Sequence, residues 1–165
     1  MFRESIELPK PMTDYAVRLL ERVKWHGVAM VEFKVARQSN VPMLMEINGR
    51  FWGSLQLAID AGLNFPYLLY QAMNGKPVAV PNNAYRIGTK SRWLLGDLDH
   101  LLLRLTKSRS ELHLDSHAVS RGRCLAEFFK LFQHDLHYEV ESLGDPGPAF
   151  VEYRDWFSHL VGSRP

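Results

Sequence analysis

Glu32, Glu46, Asn48 and Arg50 are the residues whose types and spacing could do chemistry together. Two carboxylates and an amide oxygen suit a hard, oxygen-seeking cation, and Mg²⁺ typically takes one or two carboxylates, waters and substrate phosphates. Arg50 adds a planar, always-charged fork that matches phosphate or carboxylate geometry. It stands in Gly49-Arg50-Phe51-Trp52-Gly53-Ser54, a glycine-flanked run leading into a helix, and a helix start of this kind favours anions. Each residue also has a plainer reading. Lys34 could neutralise one glutamate, Arg50 could pair with Asp60, and Trp52 reads first as a packing residue.

The elements that must position these side chains follow from periodicity. Val28 to Arg37 is rich in β-branched and aromatic residues, Gln38-Ser39-Asn40-Val41-Pro42 supplies turn chemistry, and Met43 to Asn48 returns. A turn centred near Ser39–Asn40 makes antiparallel partners sum to about 78–80, setting Glu32 opposite Glu46 or Asn48. With an even sum, Ala29, Val31, Phe33, Val35, Met43, Met45 and Ile47 share an apolar face. Val28, Met30, Glu32, Lys34, Leu44, Glu46 and Asn48 share the other. Two carboxylates facing each other across a ladder repel by roughly 0.2–1 kcal/mol when exposed, more when dehydrated. A cation between them would remove that cost.

Around the hairpin the signals are helical. Thr13 is a plausible N-cap for a helix carrying Ala16, Leu19, Leu20 and Val23, with Gly27 expected at C′. Ser54 should cap a short helix ending at Gly62, and Asn64-Phe65-Pro66 should start another that ends at Gly75. Further on, Tyr85–Trp93 reads as a strand, and Asp97–Leu105, Leu125–Phe132 and Tyr153–Val161 read as helices.

Other reactive residues are weaker candidates. His113, Asp115 and His117 have ligand spacing but lie in a polar stretch that reads as a solvated loop. Cys124 has Arg121 and Arg123 nearby yet no evident base, so it reads as a partly buried structural thiol. Arg86, Lys90 and Arg92 alternate as a basic stripe, read as a solvated strand face.

The 165 residues are close to one domain in size, and 46% apolar with 23% charged residues fits a packed core rather than disorder. The net charge of +2 excludes a polycation built for nucleic acid. The charge is uneven: residues 84–130 hold nine bases and five acids, and residues 131–165 hold two and six. One cysteine excludes an internal disulfide framework, and no apolar run is long enough to span a bilayer. The expectation is a cytoplasmic protein with no nucleic-acid or membrane partner.

Taken together, Gly27-Val28-Ala29-Met30-Val31-Glu32-Phe33, Met45-Glu46-Ile47-Asn48-Gly49-Arg50-Phe51-Trp52-Gly53-Ser54 and Ala61-Gly62-Leu63-Asn64-Phe65-Pro66 resemble the carboxy-terminal half of an ATP-grasp domain. The resemblance spans roughly residues 10–80. It implies an α+β fold: an antiparallel β-sheet with flanking helices on its apolar face, the other face open to a nucleotide. It also implies an enzyme that couples ATP to joining a carboxylate with an amine through an acyl-phosphate. In that pattern Glu32, Glu46 and Asn48 hold Mg²⁺ (or Mn²⁺), and Arg50 contacts the phosphates as a catalytic residue. Gly49 stands where many members have proline. The family's lysines, glycine-rich lid and amino-terminal portion have no counterpart in the motifs quoted. Residues 1–83 are accordingly expected to be a partial carboxy-terminal subdomain and 84–165 an α/β extension, inactive alone and prone to self-association. The alternative is a non-catalytic protein-interaction domain with salt-bridged glutamates, its basic middle docking on a partner.

Overall fold

The computed structural model describes residues 2–36, 39–78, 84–114, 118–130 and 135–162. Within them the chain is α+β, as the sequence implied. It divides into two units, residues 4–89 and residues 1–3 with 90–165.

The first unit begins with helix α1 (Lys10–Arg22). It starts three residues before the expected cap, because proline is tolerated in a first turn where its missing N–H costs nothing. Pro11 takes that place, and the Thr13 hydroxyl bonds back to the Pro9 carbonyl at 3.3 Å instead of capping. The helix also ends early. Trp25 N–H donates to the Leu20 carbonyl and Lys24 N–H to that of Glu21, with Lys24 at φ 52°. This is a Schellman closure with lysine in the left-handed position, so Gly27 lies beyond the cap.

Strands β2 (Met30–Val35) and β3 (Pro42–Asn48) form a two-stranded antiparallel sheet. Asn40, at φ 53°, turns the chain between them; Arg37, the expected end of the first strand, and Gln38 of the expected turn lie outside the described residues. The hairpin keeps one register from Met30↔Asn48 to Glu32↔Glu46, then shifts, so that Phe33 faces Leu44 and Lys34 faces Met43. Met45 is the extra residue of a bulge. The single-register face assignment therefore fails past Glu46: Leu44 joins Val31 and Phe33, while Met43 falls with Lys34. The apolar residues of β3 are not covered within the described residues, with Leu44, Met45 and Ile47 exposed at 45%, 57% and 40%.

After the hairpin come α2 (Leu55–Asp60) and α3 (Phe65–Met73). The Asn64 carboxamide caps α3 by accepting Tyr67 N–H at 3.0 Å, as its residue type predicts. Ala61, in the turn between the two, is 3% exposed, and its carbonyl accepts Arg86 N–H at 2.7 Å.

The second unit holds β4 (Lys90–Arg92), α4 (Leu94–Thr106), α5 (Arg121–Phe128), β5 (Leu136–Tyr138) and α6 (Gly147–Gly162). Strand β1 (Phe2–Glu4) joins β4 and β5 in the order β1-β4-β5, and β4 pairs with β5 in parallel. The antiparallel arrangement thus belongs to the hairpin, not to every pair. Only three residues of the expected Tyr85–Trp93 strand enter the ladder. Helix α4 starts at Leu94, before the expected Asp97, and its buried leucines are Leu95 and Leu101. Leu101 alone of the expected stripe is buried; Leu98 and Leu102 are half-buried and Leu105 is exposed. Helix α5 corrects the expected Leu125–Phe132 helix: it begins four residues earlier, where the Ser120 hydroxyl accepts Arg123 N–H, and ends at Phe128. Leu131 and Phe132 lie outside the described residues.

Candidate functional site

The acid pair is built by alternation. Glu32 and Glu46 are direct cross-strand partners, so both side chains leave the sheet on one face, with Asn48 two residues further along β3 on the same face. The bulge follows at once, and bulges commonly re-aim side chains beside functional sites. Asn48 Nδ2 donates to Glu46 Oε1 at 2.6 Å, holding that carboxylate and leaving the amide carbonyl of Asn48 as an acceptor. Glu32 and Glu46 are exposed and Asn48 is half-buried. Among the described residues neither glutamate forms an ion pair, and Lys34 sits beyond the register shift opposite Met43. The donor set is all oxygen and doubly anionic, which fits a hard divalent cation.

Arg50 follows immediately. Its Nη1 donates to the Phe51 carbonyl at 3.0 Å, and it makes no ion pair with Asp60 among the described residues. Asp60 instead accepts Gln56 Nε2 at 2.8 Å. The guanidinium is exposed and free to meet an anion. Helix α2 gives it less help than expected, because it has six residues and Ser54 makes no side-chain cap bond. The Arg50 charge is therefore the main attraction for an anion here.

Two neighbours define the loop. Trp52 packs edge-on against Phe65, ring centroids 5.3 Å apart at 69°, which is the packing role its type suggested. Gly49 has a role the sequence did not show. A Cβ there would lie 2.3 Å from Trp25 Cη2, so glycine admits the indole, whose Nε1 donates to the Val28 carbonyl at 3.2 Å. The residue between the metal-ligand candidate and the arginine thus tolerates close approach, not merely flexibility.

The other candidates separate. Asp115 and His117 lie outside the described residues, and among the described residues no group of three potential ligands gathers to hold a metal. Cys124 is a half-buried free thiol. Arg92 is the largest departure from the sequence reading: it is not on a solvated face but has no exposed surface. Its Nε meets Asp97 Oδ2 at 2.6 Å and its Nη2 donates to the Phe128 carbonyl at 2.9 Å. The guanidinium lies over the rings of both Phe2 and Phe128, centroids 5.2 and 5.1 Å away. Burial lowers its pKa from the ordinary arginine value, with Tyr138 and Glu141 opposing.

No helix among the described residues is long and apolar enough to cross a membrane. No curated protein and no solved structure matches the chain. The model of a family described as "ATP-grasp in the biosynthetic pathway with Ter operon" matches residues 3–93, which include the hairpin, its acid pair and the arginine loop. That span is more than half of the 165 residues, and the chain belongs to this ATP-grasp family.

Proposed function

We propose that this chain supplies the metal- and phosphate-binding wall of an ATP-dependent ligase joining a carboxylate to an amine. The observation that carries the reading is the pair Glu32↔Glu46, directly opposed and without an ion-pair partner among the described residues. ATP-grasp membership supports ATP as the energy source and a ligase-type reaction.

Glu32, Glu46 and Asn48 would hold Mg²⁺, and the hydrogen bond from Asn48 fixes the Glu46 carboxylate for that purpose. A bound Mg²⁺ supplies neutralisation of phosphate charge. Arg50 donates to phosphoryl oxygens as charge develops on them, an interaction stronger in the transition state than in the ground state. A substrate carboxylate oxygen attacks the γ-phosphorus and ADP leaves with the electrons of the broken P–O bond. The amine nitrogen then attacks the acyl-phosphate carbon, losing a proton as inorganic phosphate departs. Because Glu32, Glu46 and Arg50 are all exposed, this wall alone leaves the phosphates in water, where charge contacts are weak. The reading therefore includes a partner, an amino-terminal ATP-grasp portion whose lysines and lid close the opposite side.

The test is binding of Mn²⁺ by the 165-residue chain, followed by paramagnetic resonance with and without ATP. Binding strengthened by ATP and lost in both Glu32→Gln and Glu46→Gln is expected. No binding under either condition would favour the rival, a non-catalytic interaction domain with salt-bridged glutamates, although neither glutamate forms an ion pair among the described residues.

A further inference from the structure

The second unit contains a cavity of about 380 Å³ whose lining is mostly apolar, from Phe2, Leu101, Leu114, Val119 and Phe128. That volume lies in the range of small-molecule sites, roughly 300–1,000 Å³. Three charges on its wall are accounted for. Arg92 is paired with Asp97, and Glu127 Oε1 meets Lys130 Nζ at 2.6 Å. The fourth is not. Arg104 lines the same cavity, is 7% exposed, and among the described residues forms no ion pair. Its Nη2 donates to the Val119 carbonyl, a neutral acceptor.

Arginine is almost never buried without a counter-charge, and removing a charge from water without one costs several kcal/mol. A fully buried arginine on the same wall, Arg92, obeys that rule; Arg104, among the described residues, does not. Among the described residues the imbalance is one positive charge facing a mostly apolar space. His100, on the same wall, does not supply the missing anion. An imidazole is neutral or cationic and offers no negative charge; desolvation and then nearby positive charge, from the amino terminus and Arg104, lower its pKa.

We propose that this cavity binds an organic carboxylate with an apolar body, its carboxylate on Arg104 and its hydrocarbon against Leu101, Leu114 and Phe128. The carboxylate completes the missing ion pair with a charge-assisted contact. The apolar body gains the burial that the lining offers. The site belongs to the second unit and uses none of the residues of the hairpin wall.

Cys124 lines the cavity and is the chain's single cysteine, which provides a clean reporter. The experiment measures the rate of N-ethylmaleimide addition to Cys124 in the 165-residue chain, with octanoate, octan-1-ol or inorganic phosphate, the octanoate kept below micellar concentration. Calorimetry with octanoate runs in parallel. Octanoate should bind and slow labelling, octan-1-ol should need at least about tenfold higher concentration for equal protection, and phosphate should not protect, because a hydrogen bond to a charged group is worth roughly 1.5–3 kcal/mol. Arg104→Gln should abolish the preference for octanoate, and Arg104→Lys should retain part of it. Should Arg104→Gln melt without cooperativity, the ligand comparison on the unmodified chain and Arg104→Lys carry the test. Equal protection by octanoate and octan-1-ol, protection by phosphate, neither heat nor protection with octanoate, or an undiminished octanoate preference in a folded Arg104→Gln variant would each overturn the proposal.

Discussion

Glu32 and Glu46 face each other across the hairpin one step before its register shifts, with Asn48 donating to Glu46 at 2.6 Å. A ladder that places like charges opposite gives up stability, and the cation proposed above would remove that cost. The bulge at Met45 ends the regular pairing there, so the acids sit at the last ordinary rung and Lys34 falls beyond it.

Removing one of the two charges should therefore stabilise the isolated chain slightly. Glu46→Gln is expected to raise the unfolding free energy by up to about 1 kcal/mol in metal-free buffer, read from chemical denaturation. In the same variant added Mn²⁺ with ATP should no longer raise the melting temperature. A marked loss of stability instead would mean that the Glu46 charge gains more from its surroundings, the Asn48 hydrogen bond included, than it loses to Glu32, against the reading offered.

Arg50 and Trp52 should respond in opposite ways. Arg50→Lys keeps the charge but loses the fork, so ATP affinity should fall while the melting temperature barely moves. Trp52→Ala removes the edge-on contact with Phe65. Trp52 is half-buried, so a cost of about 2 kcal/mol is expected, below that of a fully buried aromatic. Equal thermal losses in the two variants would make Arg50 a structural residue.

The second unit turns on Arg92 and Asp97, whose side chains are 1% and 8% exposed. Asp97→Asn leaves a buried guanidinium without its counter-charge and should cost about 3–5 kcal/mol. Replacing both, as Arg92→Met with Asp97→Leu, should recover much of that loss, because neither charge then has to be dehydrated. The two denaturation midpoints decide whether the pair is a stability device or a specificity device.

Tyr153 gives a pH prediction. Burial, with the nearby Glu141 carboxylate that accepts its hydroxyl at 2.7 Å, raises its pKa above the ordinary tyrosine value. The folded state then holds this proton more tightly than the unfolded state. The associated stability is complete below the unfolded pKa of about 10 and declines as pH rises beyond it. Denaturant midpoints measured from neutral pH to above 10 should fall, and Tyr153→Phe should flatten the part of that slope due to this residue. An unchanged slope would exclude Tyr153 as its source.

ATP turnover gives a prediction for the whole reading. The 165-residue chain with ATP, Mg²⁺ and a mixed amino-acid pool should release no ADP above buffer, since aligning the reactants can supply roughly 7–11 kcal/mol of a barrier and this wall aligns them from one side only. Sustained release that disappears in Glu32→Gln would show that the chain is sufficient by itself.

What the sequence determined by itself is local. Alternation with period two placed Glu32 on one face with Glu46 and Asn48, because a side chain's face in a strand depends only on residue parity while the register holds. That Glu46 and not Asn48 is its direct partner was decided by the register of the fold. Asn64 before Phe65-Pro66 specified the start of α3, because a cap bond spans three residues. Where several local outcomes were compatible with the same residues, tertiary structure chose. The bulge at Met45 moved Leu44 and Met43 between faces, an event parity cannot encode. The room at Gly49 was taken by Trp25, distant in sequence. Lys90 and Arg92 alternate like a solvated edge, yet β5 pairs beside them in parallel, and Asp97, Phe2 and Phe128 close over Arg92. A guanidinium can be buried only if a counter-charge and carbonyls converge on it from separate elements, and that convergence is a property of the fold, not of any window of the chain.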